Sequence, residues 1–153
     1  MRNKSRGVKL LAMINQSPWN ELILRSGERI ESGGNVIKHR GLILLYTSKS
    51  RMDSYGADEL GGYNEDALAM KNLRNVELDP PRGVIVGAAI LKNCQGERGE
   101  VEYDIKGARR FPKPVAIVNR GPVRWFSIKV NEALESQLRA VGMWREATKA
   151  NRV

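Results

Sequence analysis

One stretch, from Gln16 to Tyr46, constrains the fold more than any other part of the chain. Its second residue, Ser17, is a favourable helix N-cap, and Pro18 suits the first helical position. The apolar residues Trp19, Leu22 and Ile23 then recur at helical spacing. Gly27 is placed to end the helix. The sequence therefore predicts a short amphipathic helix in the first third of this stretch.

A polar, glycine-rich region leads from this helix into a buried strand. The region spans residues 28–39, and Leu-Ile-Leu-Leu follows at residues 42–45. A continuous apolar run of this length is typical of a strand that is covered on both faces. The next residues, 47–51 (T-S-K-S-R), are expected to leave the strand as a basic, hydroxyl-rich loop, and both residue types suit phosphate oxygens.

The rest of the chain predicts further strands and helices. Apolar or alternating patterns indicate strands at residues 8–14, 83–91, 100–105, 115–118 and 123–130. A helical excursion is expected near residues 64–75, and a C-terminal helix over residues 131–150, capped by Asn131 and interrupted at Gly142. These elements predict an α+β fold, a small mixed β-barrel with a short helix after the first strand.

Composition bounds the class of protein. The 153 residues are enough for one domain with a hydrophobic core, and we predict a single domain over residues 1–153 with a basic arm at residues 1–7. One cysteine excludes an internal disulfide framework. No apolar run approaches the roughly 20 residues that span a bilayer. We therefore expect no membrane partner and a cytoplasmic, nucleoid or nuclear location.

The charge of the chain favours a polyanionic partner. It carries 26 Lys and Arg against 17 Asp and Glu, a formal net charge of +9. Such an excess favours nucleic acid. The charge is also segregated, because residues 106–124 include six cations and no acidic residue. A basic solvated surface with no specific ligand is the alternative.

The stretch from Gln16 to Tyr46 resembles the signature of the ASCH domain family, a branch of the PUA-like superfamily. Members carry a Q-P-W start, a short helix, a G-x-K-x-x-E-x-R motif and an R-G before an apolar strand. The matching residues here are Gln16, Pro18 and Trp19 at the start, Glu31 in the motif, and Arg40 and Gly41 before the strand. Weaker matches lie at residues 83–91 and 114–130.

Three positions depart from the family pattern. In an ungapped comparison Ser26, Glu28 and Gly33 stand where the family has glycine, lysine and arginine. The resemblance covers residues 8–130 and implies a PUA-like barrel closed by the C-terminal helix.

The resemblance also implies a non-catalytic module that binds DNA or RNA. Relatives bind nucleic acid in a cleft beside the motif helix and the loop after it. The residues of this chain that fall there, or that extend the same surface, are basic or aromatic: Trp19, Arg29, Lys38, His39, Arg40, Lys49, Arg51, Arg109, Arg110, Lys113 and Arg124. Cations would hold phosphates, and an exposed tryptophan would stack on an unpaired base. Packing in the core is the alternative for Trp19.

An enzyme is the first alternative function. Some family members are amidohydrolases that act on N4-acylated cytidines with a lysine and a threonine, and others are described as ribonucleases. Glu28 and Glu31 occupy the lysine and threonine positions here. A carboxylate replaces neither an amine base nor a hydroxyl nucleophile, so we expect no such hydrolysis. A different reaction on RNA or a modified nucleoside, through Glu31 and Glu28, stays open.

Two further alternatives concern structure and partners. Glu31 is in reach of an ion pair with Arg25, Arg29 or Arg40, which would tether the loop and leave no catalytic role. A basic domain also suits an acidic protein face, so an interaction or inhibitor domain is the weaker alternative.

No metal or cofactor is expected. The single histidine, His39, and the single cysteine, Cys94, do not form a zinc-ligand pattern. P-loop and dinucleotide fingerprints are absent from the sequence. His39 is expected to be a polar loop residue beside Arg40 that is able to meet phosphate.

Overall fold

Six strands and three short helices form an α+β fold in the computed structural model, which describes residues 7–17, 19–51, 82–118 and 124–150. The strands are β1 (Lys9–Ser17), β2 (Arg29–Ser32), β3 (Gly41–Arg51), β4 (Val84–Gln95), β5 (Glu102–Ala116) and β6 (Trp125–Lys129). The helices are α1 (Trp19–Ser26), α2 (Glu132–Ala140) and α3 (Trp144–Ala150). The α+β class is thereby confirmed.

All six strands belong to one sheet, in the order β2-β5-β4-β3-β1-β6. β1 and β3 run parallel, with Ala12 opposite Leu44, and every other neighbouring pair is antiparallel. A parallel pair needs a crossover, and α1 and β2 lie in that connection. Within the described residues no strand pairing joins the edge strands β2 and β6, so these strands form an open sheet rather than a closed barrel.

Each face of the sheet carries its own core. One core packs against α2 and α3 and includes Leu42, Leu44 and Leu134. The other packs against α1 and includes Ile43 and Leu45. Because both faces of β3 are covered, the whole run from Leu42 to Tyr46 is buried, which confirms the prediction from its continuous apolar sequence.

The sheet curls around the core that contains α1. Tyr103 on β5 and Trp125 on β6 lie four positions apart in the strand order, which is about 19 Å in a flat sheet. Their ring centroids are nevertheless 5.3 Å apart. The curvature therefore brings side chains from the two ends of the sheet together.

Local signals set the helix ends as the sequence indicated. Gly27 has φ +79° and follows α1. The Asn131 side chain accepts a hydrogen bond of 2.9 Å from the Leu134 amide at the start of α2. Gly142, at φ +73°, separates α2 from α3, so the predicted C-terminal helix is two helices.

The loop predicted at residues 47–51 is a strand, and the two strands predicted at residues 100–105 and 115–118 are parts of one strand. Residues 47–51 continue β3, because Thr47 pairs with Val84 and its carbonyl accepts from the Gly83 amide at 2.6 Å. Residues 106–116 continue β5, a single strand of 15 residues that bends through register shifts instead of ending. The predicted helical excursion near residues 64–75 lies outside the described residues, as does the basic arm apart from its last residue, Gly7.

Candidate functional site

The edge strand β2 presents two charged residues on one face. Its alternation puts Arg29 and Glu31 on the same side, whereas Ile30 points away and is 60% exposed. Glu31 lies opposite Tyr103 in the β2–β5 register. Directly opposite residues share a face of the sheet, so Glu31 stands beside the Tyr103 ring and near the curled-over strand β6.

Glu31 is a buried carboxylate between two arginines. It is 8% exposed, and its Oε1 atom lies 3.4 Å from Nε of Arg29. Burial raises the pKa of the Glu31 carboxyl above its ordinary value of 4.5, while Arg29 and Arg124 act in the opposite direction. Burial likewise lowers the pKa of the Arg124 guanidinium, and the charge of Glu31 opposes that change. The three groups thus form one electrostatic unit.

Aromatic rings lie beside both arginines. The guanidinium carbon of Arg29 is 5.8 Å from the ring centroid of Trp19, and that of Arg124 is 5.8 Å from the ring of Tyr103. Trp125 packs edge-on against Tyr103, and its indole N–H donates to the Tyr103 hydroxyl at 3.4 Å. We name this set the aromatic–arginine strip: Trp19, Arg29, Glu31, Tyr103, Arg124 and Trp125.

Two glycines after β2 make room for the strip. A Cβ atom on Gly34 would lie 2.6 Å from the Tyr103 hydroxyl, which donates to the Asn35 carbonyl at 2.6 Å. A Cβ atom on Gly33 would lie 3.8 Å from Nη1 of Arg124. Gly33 is the position where the resembled family has arginine, and in this chain the guanidinium next to it comes from Arg124.

Arg40 is held by the loop that precedes β3. Its Nη1 donates to the carbonyls of Ile37 and His39 at 2.7 and 2.8 Å, and its Nη2 donates to the carbonyl of Cys94 at 3.0 Å. The hydrogen bonds of its guanidinium therefore go to backbone carbonyls. The alternative in which Arg40 pairs with Glu31 is wrong, because Arg29 takes that place.

The other cations near strand β3 do not form one patch. His39 bonds through Nε2 to the Leu42 carbonyl at 2.8 Å, and Lys38 is exposed in the same loop. Lys49 and Arg51 lie at the opposite end of β3, about 25 Å further along the strand. Lys49 is exposed and packs beside Gly83.

The basic residues of β5 are divided between two faces and serve the fold. Arg109 donates to the Val141 carbonyl at 2.5 Å, at the end of α2. Arg110 donates through both Nη atoms to the buried carboxylate of Glu21 on α1, at 3.0 Å for the Nη1 contact. The Lys113 amide donates to the Gln137 side chain at 2.9 Å, and the Lys113 side chain is exposed. The backbone around Arg109 and Arg110 is therefore part of strand β5.

Glu28 and Glu31, the two carboxylates of the alternative reaction, do not share a partner. Glu28 lies 3.9 Å from Lys106 with a side chain that is 67% exposed, whereas Glu31 is buried beside Arg29. The two carboxylates thus stand in different environments with different partners.

Three further observations concern metal ions, membrane helices and related proteins. The part of the chain that the structure describes contains no cluster of His, Cys, Asp and Glu suited to a metal ion. None of the described helices is long and apolar enough to cross a membrane. Comparison of the sequence with protein-family models and with curated proteins gave no match.

Proposed function

We propose that this protein binds single-stranded nucleic acid along the aromatic–arginine strip. The observation that carries the proposal is the alternation of guanidinium groups with rings: Arg29 beside Trp19, and Arg124 beside Tyr103 and Trp125. Guanidinium groups bind phosphate oxygens with two donors at once, and aromatic faces stack on bases of any sequence. The net charge of +9 supplies the long-range attraction.

The half-buried position of the two tryptophans favours an unpaired strand. Trp19 and Trp125 are partly covered by their neighbours, so a base must leave its own stack to reach them. Paired bases in a duplex keep their faces covered, whereas bases in single strands and loops are free to stack on protein side chains. We therefore propose contact with unpaired bases, with phosphates held by Arg29 and Arg124.

Glu31 has a positioning role in this proposal. A carboxylate between two guanidinium groups fixes their orientation before the ligand arrives, which lowers the entropy lost on binding. Its cost is partial neutralisation of the two charges that meet the phosphates.

We also propose that the fold is of the ASCH type within the PUA-like superfamily, with the curled open sheet in the place of the barrel. The support is the curl that brings Tyr103 and Trp125 into contact, together with the Q-x-P-W start and the R-G that precedes β3. A cytoplasmic, nucleoid or nuclear location belongs to the same proposal.

An enzyme that uses Glu31 as a general acid is the second candidate. The observation that favours it is burial of this carboxyl, which raises its pKa and so helps it to keep the proton that a general acid donates. Loss of turnover in Glu31→Gln with intact affinity for RNA, in an assay of RNA cleavage, would support this candidate.

Affinity measured by fluorescence anisotropy tests the binding proposal. Short single-stranded RNA and DNA and the matching duplexes are compared on the wild type, on Trp19→Leu and on Trp144→Leu. Trp144 is a matched control, since its ring packs against Arg139 on the other face of the sheet. We expect tighter binding of single strands, and a loss of about tenfold in Trp19→Leu alone, from one lost stacking contact.

Two results would contradict the proposal. Duplexes that bind as tightly as single strands would remove the role of unpaired bases. Equal losses in the two tryptophan variants, with both folded by circular dichroism, would remove the strip from the binding surface.

A further inference from the structure

A cleft lies on the face of the sheet opposite the aromatic–arginine strip, where α3 covers the beginning of β3. It has a volume of about 300 Å³ and is lined by Arg40, Gly41, Leu42, Ile90, Glu146 and Lys149. Leu42 and Ile90 are directly opposite in the β3–β4 register and form an apolar floor. The cleft thus combines an apolar surface with three charged side chains.

Glu146 carries a buried oxygen with no partner. Within the described residues its Oε2 atom is buried and meets no hydrogen-bond donor. An oxygen left in this state is less stable than one that accepts a hydrogen bond. Glu146 is one turn before Lys149 on α3, so both side chains lie on the same side of the helix. Because Glu146 lines the cleft, its carboxylate brings a hydrogen-bond acceptor to the site.

Arg40 offers the opposite chemistry at the rim. Three of its hydrogen bonds go to loop carbonyls, which fixes the guanidinium in place. A guanidinium has five donor hydrogens, so two remain for a ligand. The ammonium of Lys149, which is exposed, adds a second cation to the same cleft.

We propose that this cleft binds a small zwitterion with an aliphatic body, the chemistry of a free α-amino acid. Its carboxylate is held by Arg40 and Lys149, its ammonium donates to Glu146, and its side chain covers Leu42 and Ile90. A ligand with only an anionic group is repelled by Glu146. A ligand with only a cationic group is repelled by Arg40 and Lys149. This inference does not depend on the nucleic-acid proposal, because the two sites share no residue.

L-Leucine and two truncated analogues test the proposal on the full chain. 4-Methylpentanoate lacks the ammonium group, and 3-methylbutylamine lacks the carboxylate. Each is titrated into ¹⁵N-labelled protein while the backbone amides of Gly41 and Leu42 are followed by NMR. We expect saturable shifts with L-leucine, and binding of each analogue that is weaker by about tenfold, since each lacks one charged contact.

Variants separate the two ends of the ligand. Glu146→Gln should remove the advantage of L-leucine over 4-methylpentanoate. Lys149→Met should weaken L-leucine and 4-methylpentanoate together and leave 3-methylbutylamine unchanged or tighter. Glu97→Gln, which removes an exposed carboxylate from a turn, is the matched control and should change nothing.

Three results would overturn the proposal. The first is the absence of saturable shifts at these amides with L-leucine. The second is an analogue that binds as tightly as L-leucine. The third is unchanged discrimination in Glu146→Gln when circular dichroism shows that the variant is folded.

Discussion

The aromatic–arginine strip and strand β5 carry the same kind of charge and use it differently. In the strip, Arg29 and Arg124 come from distant parts of the chain and flank one buried carboxylate, with rings beside them. On β5, Arg109 and Arg110 are adjacent in sequence, yet one contacts α2 and the other α1, on opposite faces of the sheet. A run of cations in the sequence therefore does not define a binding surface when strand alternation divides it.

The largest expected effect concerns salt and measures how many cations contact the ligand. If six phosphates of a single strand are neutralised, affinity should fall by roughly three hundredfold between 50 and 200 mM salt. Anisotropy titrations at several salt concentrations give this slope. Affinity that stays flat over the range would remove the electrostatic part of the comparison.

Removal of the Arg110 side chain tests whether the cations of β5 stabilise the fold. Arg110→Ala leaves the Glu21 carboxylate, which is 9% exposed, without its two-donor partner. We expect a loss of about 1–3 kcal/mol in the free energy of unfolding, because a buried acceptor loses its hydrogen bonds. Urea denaturation measures it. Affinity for single-stranded RNA should stay within about twofold of the wild type, well under the 1.4 kcal/mol of a tenfold change.

One outcome for Arg110→Ala would contradict the difference between the aromatic–arginine strip and strand β5. Stability that is unchanged while affinity falls by tenfold or more would identify Arg110 as a ligand contact instead of a structural one.

The strip itself should make stability depend on pH through Glu31. Burial raises the pKa of this carboxyl above its ordinary value of 4.5, so the folded chain holds the proton more tightly than the unfolded chain does. The stability that the proton provides is complete below about pH 4.5 and is lost as the pH rises through the folded-state pKa. The difference in unfolding free energy between wild type and Glu31→Gln should therefore move against the wild type as the pH rises.

Urea unfolding of both proteins at a series of pH values measures that difference. Comparing the two cancels the other titrating groups, which both proteins share. A difference that is constant with pH, or that moves in favour of the wild type at higher pH, would contradict the assignment.

The last expectation is that the protein does not hydrolyse N4-acetylcytidine. Glu28 and Glu31 stand where the resembled amidohydrolases have lysine and threonine, and here the two carboxylates lie apart with different partners. Chromatography of the nucleoside after incubation with the protein measures release of cytidine. Release above a control without protein, abolished in Glu31→Ala, would contradict this expectation.

Much of the fold was accessible from local sequence signals. The buried strand at residues 42–45, the stop at Gly27 and the cap at Asn131 depend on patterns within a few residues, and the structure confirms each of them. The extension of β3 through residues 47–51 was not accessible in this way. It depends on pairing with β4 at Thr47 and with β1 at Thr47 and Arg51. Both partner strands are distant in sequence, and polar residues at a strand end resemble a loop until such partners are known.

The candidate site was only partly accessible for the same reason. Trp19, Arg29 and Glu31 came from the motif region, where sequence neighbours are also neighbours in space. Tyr103 had no signal as a site residue, since its place beside Glu31 follows from the β2–β5 register. Arg124 was grouped with the cations of β5, whereas the curl of the sheet places it beside Glu31.

The most direct test compares salt slopes for two variants that remove the same charge. Arg124→Gln takes a cation from the strip, and Lys113→Gln takes one from β5. We expect the slope of log affinity against log salt for single-stranded RNA to become shallower by about 0.7 in Arg124→Gln. The slope should be unchanged in Lys113→Gln. An equal or larger change in Lys113→Gln, with both variants folded, would contradict the account and move the phosphate contacts to β5.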